Sequence, residues 1–121
     1  MRIPSLETVV AFNHSIREAD EWFEEPDELD RVGRILDQLV DETDPVVASA
    51  LSVSRLAQSQ AFTEANKRTA VLVGRWILDR NGIDGAKYIP ENDMELAPLL
   101  LQAARGADMS GEVISLFDSR R

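Results

Sequence analysis

The run from Glu64 to Arg80 constrains this chain more than any other segment. Thr69, Leu72, Val73, Trp76 and Ile77 fall on one face at helical spacing, while Ala70, Val71 and Leu78 make other faces apolar as well. A helix that is apolar on several sides needs neighbours around it rather than water on one flank, so it belongs at the centre of a helical assembly, with Trp76 largely buried. Asn81-Gly82 supplies its stop. The remaining segments read as the wrapping. Leu6 to Ile16 carries an amphipathic stripe behind Ser5, a capping residue, and extends toward Trp22-Phe23. A second stripe follows Pro26, from Leu29 to about Glu42. A third opens on Asp44-Pro45, cap and first helical position, and runs toward Gln58. Ala86 to Ile89 reads as a short extended piece. Asn92 with Glu95 resembles a capping box for a helix ending at Gly106, with Pro98 forcing either a start near Ala97 or a kink. Ser110 to about Asp118 closes the chain. The expectation is a single all-α domain spanning residues 1–121, a compact bundle with the Glu64–Arg80 helix packed against those starting near Ser5, Glu28 and Pro45.

Composition removes several function classes. The chain has no cysteine, so disulfides, thiolate metal sites and thiol redox chemistry are excluded. No stretch approaches the ~20 apolar residues of a membrane span, and the first residues lack a basic segment leading into an apolar run, which points to a cytoplasmic protein with no membrane partner. A net charge of −9 opposes the phosphate backbone of nucleic acids, so DNA and RNA are not expected partners. From Glu18 to Asp44 twelve acidic residues face only Arg31 and Arg34, a pattern of solvated helix faces. A calcium loop around Glu24-Glu25-Pro26-Asp27-Glu28 lacks the glycine and ligand spacing of such loops.

Against that background the Glu64–Arg80 run is locally positive: Lys67, Arg68, Arg75 and Arg80 against Glu64 and Asp79, a local +2. Its start combines first-turn amides, the positive end of the helix dipole and the donors of Asn66, Lys67 and Arg68, an arrangement that suits a phosphate. Glu64 is the natural acid for Mg2+, which takes one or two carboxylates together with substrate phosphate oxygens and water. Each residue also has a plain role open to it: Glu64 as a first-turn acid, Asn66 as a cap, Lys67 and Arg68 as a solvated face, Phe62 as core.

Phe62-Thr63-Glu64-Ala65-Asn66-Lys67-Arg68 resembles the Fic/Doc pattern His-x-Phe-x-(Asp/Glu)-(Ala/Gly)-Asn-(Lys/Gly)-Arg at every specified position but the first. The Ala-Asn-Lys-Arg-Thr form and the run on to Leu78-Asp79-Arg80-Asn81-Gly82 are similar to the Doc toxin branch, and the likeness covers most of the chain. The resemblance implies a toxin of a toxin–antitoxin system that transfers a phosphoryl group, or AMP, from ATP to a hydroxyl of a protein target such as a translation factor. It implies Mg2+ on Glu64, phosphate on Ala65, Asn66, Lys67 and Arg68, charge neutralisation during transfer by Lys67 and Arg68, and Phe62 as the anchor of the loop. It also implies a small antitoxin with a helical segment, for which the acidic 18–44 region would favour basic character.

The departure is Gln60, which stands where the pattern has histidine. An imidazole titrates near neutrality and can take a proton from the target hydroxyl; a carboxamide cannot. Loss of such assistance costs about 10²–10⁴ in rate. His14, the one histidine, reads as structural. Gln60 is compatible with a disarmed enzyme, with a natural pseudoenzyme, and with an enzyme whose base comes from the target or another acid. The alternative function is a catalytically silent binding module for a nucleotide or partner protein.

Overall fold

The computed structural model describes residues 1–18 and 26–121, and the described residues form seven helices and no strand. These are α1 (Leu6–Ile16), α2 (Leu29–Leu39), α3 (Pro45–Ser59), α4 (Asn66–Arg80), α5 (Gly85–Tyr88), α6 (Leu96–Ala104) and α7 (Ser110–Ser119). The first helix does not extend as expected, because it stops at Ile16 where Arg17 turns to extended backbone; Trp22-Phe23 and parts of the acidic run lie outside the described residues. No helix among the described residues is long and apolar enough to cross a membrane.

Local chemistry sets several helix ends. Ser5 Oγ accepts the Thr8 amide at 3.2 Å, and Asp44 Oδ1 accepts the Val46 amide at 2.9 Å with Pro45 in the first turn. Gly82, at φ +79°, ends α4 and lets the Ile83 amide return to the Leu78 carbonyl at 2.9 Å. Pro98 sits at the third position of α6, where its missing N–H would have had no partner within the helix, so it neither breaks nor kinks it.

Several expectations need correction. The central helix begins at Asn66, not Glu64. Residues Gly85–Tyr88 are a helical turn rather than an extended piece, because the carboxylates of Asp79 and Asp84 accept the Gly85 and Ala86 amides at 2.8 and 3.1 Å. Glu95, not Asn92, stands at the N-cap of α6, and the Asp93 carboxylate accepts the Glu95 and Leu96 amides as the chain enters the helix. Trp76 is packed against the core but not fully enclosed, with the Arg80 guanidinium over its ring at 5.4 Å. The helix is central, but it shares the centre with α3, and α2 leans on α3 and α1 instead of on α4.

Small side chains explain the α3–α4 pairing. Ala48, Ser49, Ala50, Ser52, Ser54 and Ala57 of α3 are buried, and a Cβ built on Gly74 of α4 would lie 2.4 Å from Val53 Cγ2. The backbones approach closely enough for Ser49 Oγ to donate to the Gly74 carbonyl at 2.9 Å. Around this pair Val9, Leu39, Ile77, Leu78, Leu96, Val113 and Phe117 are fully enclosed or nearly so, forming one continuous core.

The C-terminus is tied back by Arg120, whose Nη2 donates to Asp93 Oδ1 at 2.8 Å while Nη1 reaches Asp93 Oδ2 and the Tyr88 carbonyl. Burial alone would raise the Asp93 pKa, but the Arg120 bond and the Leu96 and Glu95 amides outweigh it and hold the carboxyl below the ordinary range. A depressed carboxylate contributes stability that is present above its unfolded value of about 3.9 and is lost as pH falls through the lower folded value. Asp93→Asn is therefore expected to flatten the loss of stability below about pH 4, which urea titrations at pH 3 and pH 6 on both chains would measure.

Candidate functional site

Residues 60–65 form the connection between α3 and α4, and both of its ends carry left-handed backbone: Gln60 at φ 50° and Ala65 at φ 67°. For residues with a Cβ this conformation costs about 1–2 kcal/mol each, so the surroundings must impose it. Asn66 is one source. Its Oδ1 accepts the Phe62 amide at 3.1 Å and its Nδ2 donates to the Phe62 carbonyl at 2.8 Å, folding the segment back on the first turn of α4. The Phe62 ring is buried in the core with the Arg17 guanidinium 5.9 Å from its centroid.

This turn gathers the sequence motif around one space. Gln60, Glu64, Ala65, Asn66, Lys67 and Arg68 line a cavity of about 180 Å³, closed on the far side by Ala104 at the end of α6. No side chain caps the start of α4, and Ala65, in the capping position, has no group that could. Lys67 and Glu64 are exposed at the rim; Glu64 Oε1 accepts the Ala65 amide at 3.3 Å. The Asn66 carboxamide is buried and committed to Phe62, with Nδ2 also 3.5 Å from Gln60 Oε1, so Asn66 acts on the shape of the loop. Arg68 Nη1 donates to the Ile16 carbonyl at 3.1 Å, which draws the guanidinium toward the end of α1.

Gln60 is exposed, and its Nε2 donates to the Ala57 carbonyl at 2.7 Å. No histidine lines either the small cavity or the larger one beside it. His14 Nε2 instead lies 3.7 Å from Asp27 Oδ2, behind the loop.

No family model, curated protein or solved structure matches the chain.

A larger groove of about 600 Å³ runs between α4 and α6 and shares Lys67 and Arg68 with the small cavity. Its walls are mostly apolar, from Val71, Leu72, Ile89, Leu96 and Leu100, and Arg75 stands in it with Nε donating to the Ile89 carbonyl at 2.7 Å. The described residues hold no cluster of three or more histidine, aspartate or glutamate side chains that could bind a metal by themselves. A lone exposed carboxylate beside two cations and free helix-start geometry fits Mg2+ arriving with a phosphate, not a cation held by protein alone.

Three residues that sequence reasoning did not assign to the loop also belong here: Asn13, Arg17 and Asp27. Asn13 Nδ2 donates to the Glu64 carbonyl at 3.0 Å and to Thr69 Oγ1 at 3.1 Å, and Asp27 Oδ1 accepts the Thr63 amide at 2.9 Å while pairing with Arg17. Burial would raise the Asp27 pKa, yet the Arg17 bond, the Thr63 amide, and the charges of Arg17 and His14 hold it below the ordinary range. Asn13 left a signal, a polar residue inside an apolar stripe. Asp27, in an acidic run, left none.

Proposed function

We propose that this chain is a Fic/Doc-type domain of the Doc toxin branch, built to transfer a phosphoryl group or AMP from ATP to a hydroxyl of a protein target such as a translation factor, and impaired at Gln60. One observation carries the reading: the six motif residues from Gln60 to Arg68 that line the small cavity surround it at an uncapped helix start. A space of about 180 Å³ suits a phosphate-sized anion and is too small for a nucleotide, whereas the adjoining groove of about 600 Å³ falls within the ~300–1,000 Å³ typical of ligand pockets. We place the phosphates at the α4 amides and the rest of the nucleotide in the groove, with Lys67 and Arg68 at the junction.

Phosphoryl transfer depends chiefly on holding the phosphates in line and stabilising charge on their oxygens. The α4 amides, Lys67 and Arg68 supply that stabilisation, and Glu64 would hold Mg2+ against the phosphate oxygens. Gln60 stands where the incoming hydroxyl must lose its proton. A carboxamide that donates to the Ala57 carbonyl does not take that proton, so the base has to come from elsewhere or the step is slow. The same feature favours the second reading, a silent module that binds a nucleotide or partner without turnover. A small antitoxin with a helical segment remains part of the proposal on the strength of the family likeness.

Calorimetric titration of the full chain with ATP and Mg2+ tests the phosphate assignment. Arg68→Ala removes a charge-assisted donor worth about 1.5–3 kcal/mol, so binding is expected to weaken at least about tenfold. Equal affinity for the variant and the parent chain would overturn the placement of phosphate at this loop.

A further inference from the structure

The loop that carries the motif is held from outside by α1 and by the segment leading into α2. Two consecutive residues are pinned: Asp27 Oδ1 accepts the Thr63 amide at 2.9 Å, and Asn13 Nδ2 donates to the Glu64 carbonyl at 3.0 Å. The attachment continues along the same edge, where the Glu28 amide donates to the Ala61 carbonyl at 2.7 Å and Arg31 Nη1 to the Ser59 carbonyl at 2.9 Å. Every one of these bonds joins parts of the chain 28 or more residues apart. They bracket a stretch with a left-handed, non-glycine residue at each end, a conformation that persists only where several contacts over-determine it.

We propose that Asp27 is a positioning residue for the anion loop, holding the peptide units around Glu64 in the shape that turns the α4 amides toward the small cavity. Its use in nucleotide binding rests on the function proposed above; its grip on the loop does not. The Asp27 carboxylate is well placed for this because its two oxygens divide the work: Oδ1 takes the Thr63 amide and Arg17 Nη2, and Oδ2 faces His14. Arg17, with a side chain 3% exposed, in turn lies over the Phe62 ring, so one ion pair fixes both the backbone and the anchor of the loop. Asp27 touches neither the cavity nor its rim, and its effect on a ligand must pass through the loop.

Three variants separate this from ordinary stabilisation. Asp27→Ala removes the acceptor and the charge, Asp27→Asn keeps an acceptor oxygen for Thr63, and Val113→Ala destabilises the core on α7, remote from the loop. Amide exchange at Thr63, read by NMR against amides in the middle of α4, and calorimetric affinity for Mg2+-ATP are measured on each. For Asp27→Ala the Thr63 amide is expected to exchange at least about tenfold faster relative to α4, and ATP binding to weaken about tenfold. Asp27→Asn is expected to lie nearer the parent in both, and Val113→Ala to leave both unchanged. Unchanged Thr63 exchange in Asp27→Ala, or a loosened Thr63 with undiminished ATP affinity, would overturn the proposal. If the parent chain binds no ATP, the nucleotide reading falls and Thr63 exchange alone decides the role of Asp27.

Discussion

On the function proposed above, Gln60→His is expected to raise transfer from ATP to a protein hydroxyl by about 10²–10⁴, the usual contribution of a placed acid–base group. The position accepts the change. Gln60 is exposed, so a ring meets no core packing, and its φ of 50° is a backbone state in which histidine is several-fold enriched among non-glycine residues. The carboxamide is tied to the Ala57 carbonyl by Nε2, and an imidazole N–H at the same place can donate to that carbonyl while its other nitrogen stays basic. Incubation with ATP labelled at the γ-phosphate, and separately at the α-phosphate, measures the gain on a protein acceptor and separates phosphoryl transfer from AMP transfer. A histidine variant that binds ATP but moves neither label would favour the silent binding module over the enzyme.

Phe117→Ala is expected to cost about 3–5 kcal/mol, the range for deleting a buried phenyl ring. That is a large share of the roughly 5–15 kcal/mol that holds a domain of this size together. Phe117 is completely enclosed on α7, with its ring 6.4 Å from that of Tyr88 and inclined at 55°. Because α7 packs on α3, and α3 on α4, the void would open beside the central pair. In urea titrations the midpoint should fall with little change in slope, since the folded and unfolded states keep their gross areas. Leu101→Ala, at a side chain 42% exposed on α6, should change stability by no more than about 0.5 kcal/mol. Similar midpoints for the two variants would mean that α7 is not a structural part of the core.

The candidate site was legible to the extent that it is contiguous. Glu64 to Arg68 are neighbours in the chain, and a loop that opens a helix necessarily brings their amides and side chains to one place. Ala104, which lines the cavity, and Asp27, which holds the loop, come from another helix or connection and carry no local mark of that role, and Asn13 is marked only as a polar residue inside an apolar stripe. The Asn66 carboxamide shows the same boundary from inside the motif. Its residue type announces a capping or phosphate-binding group, and only the folded loop commits it to Phe62.

The helices followed the same division. Ser5, Asp44-Pro45 and Asn81-Gly82 set ends through bonds to amides and carbonyls within a few residues, so their chemistry acts before any packing does. The all-helical character followed as well, from apolar spacing sustained over whole segments. Tertiary structure decided the rest. It chose α3 as the second central helix, because small residues such as Ser49 and Ala50 admit a close neighbour only when Gly74 stands opposite. It left Trp76 packed against the core without enclosing it, with Arg80 over its ring. Sequence periodicity records which residues can be buried; which of them are buried depends on where a limited number of partners can be packed at once.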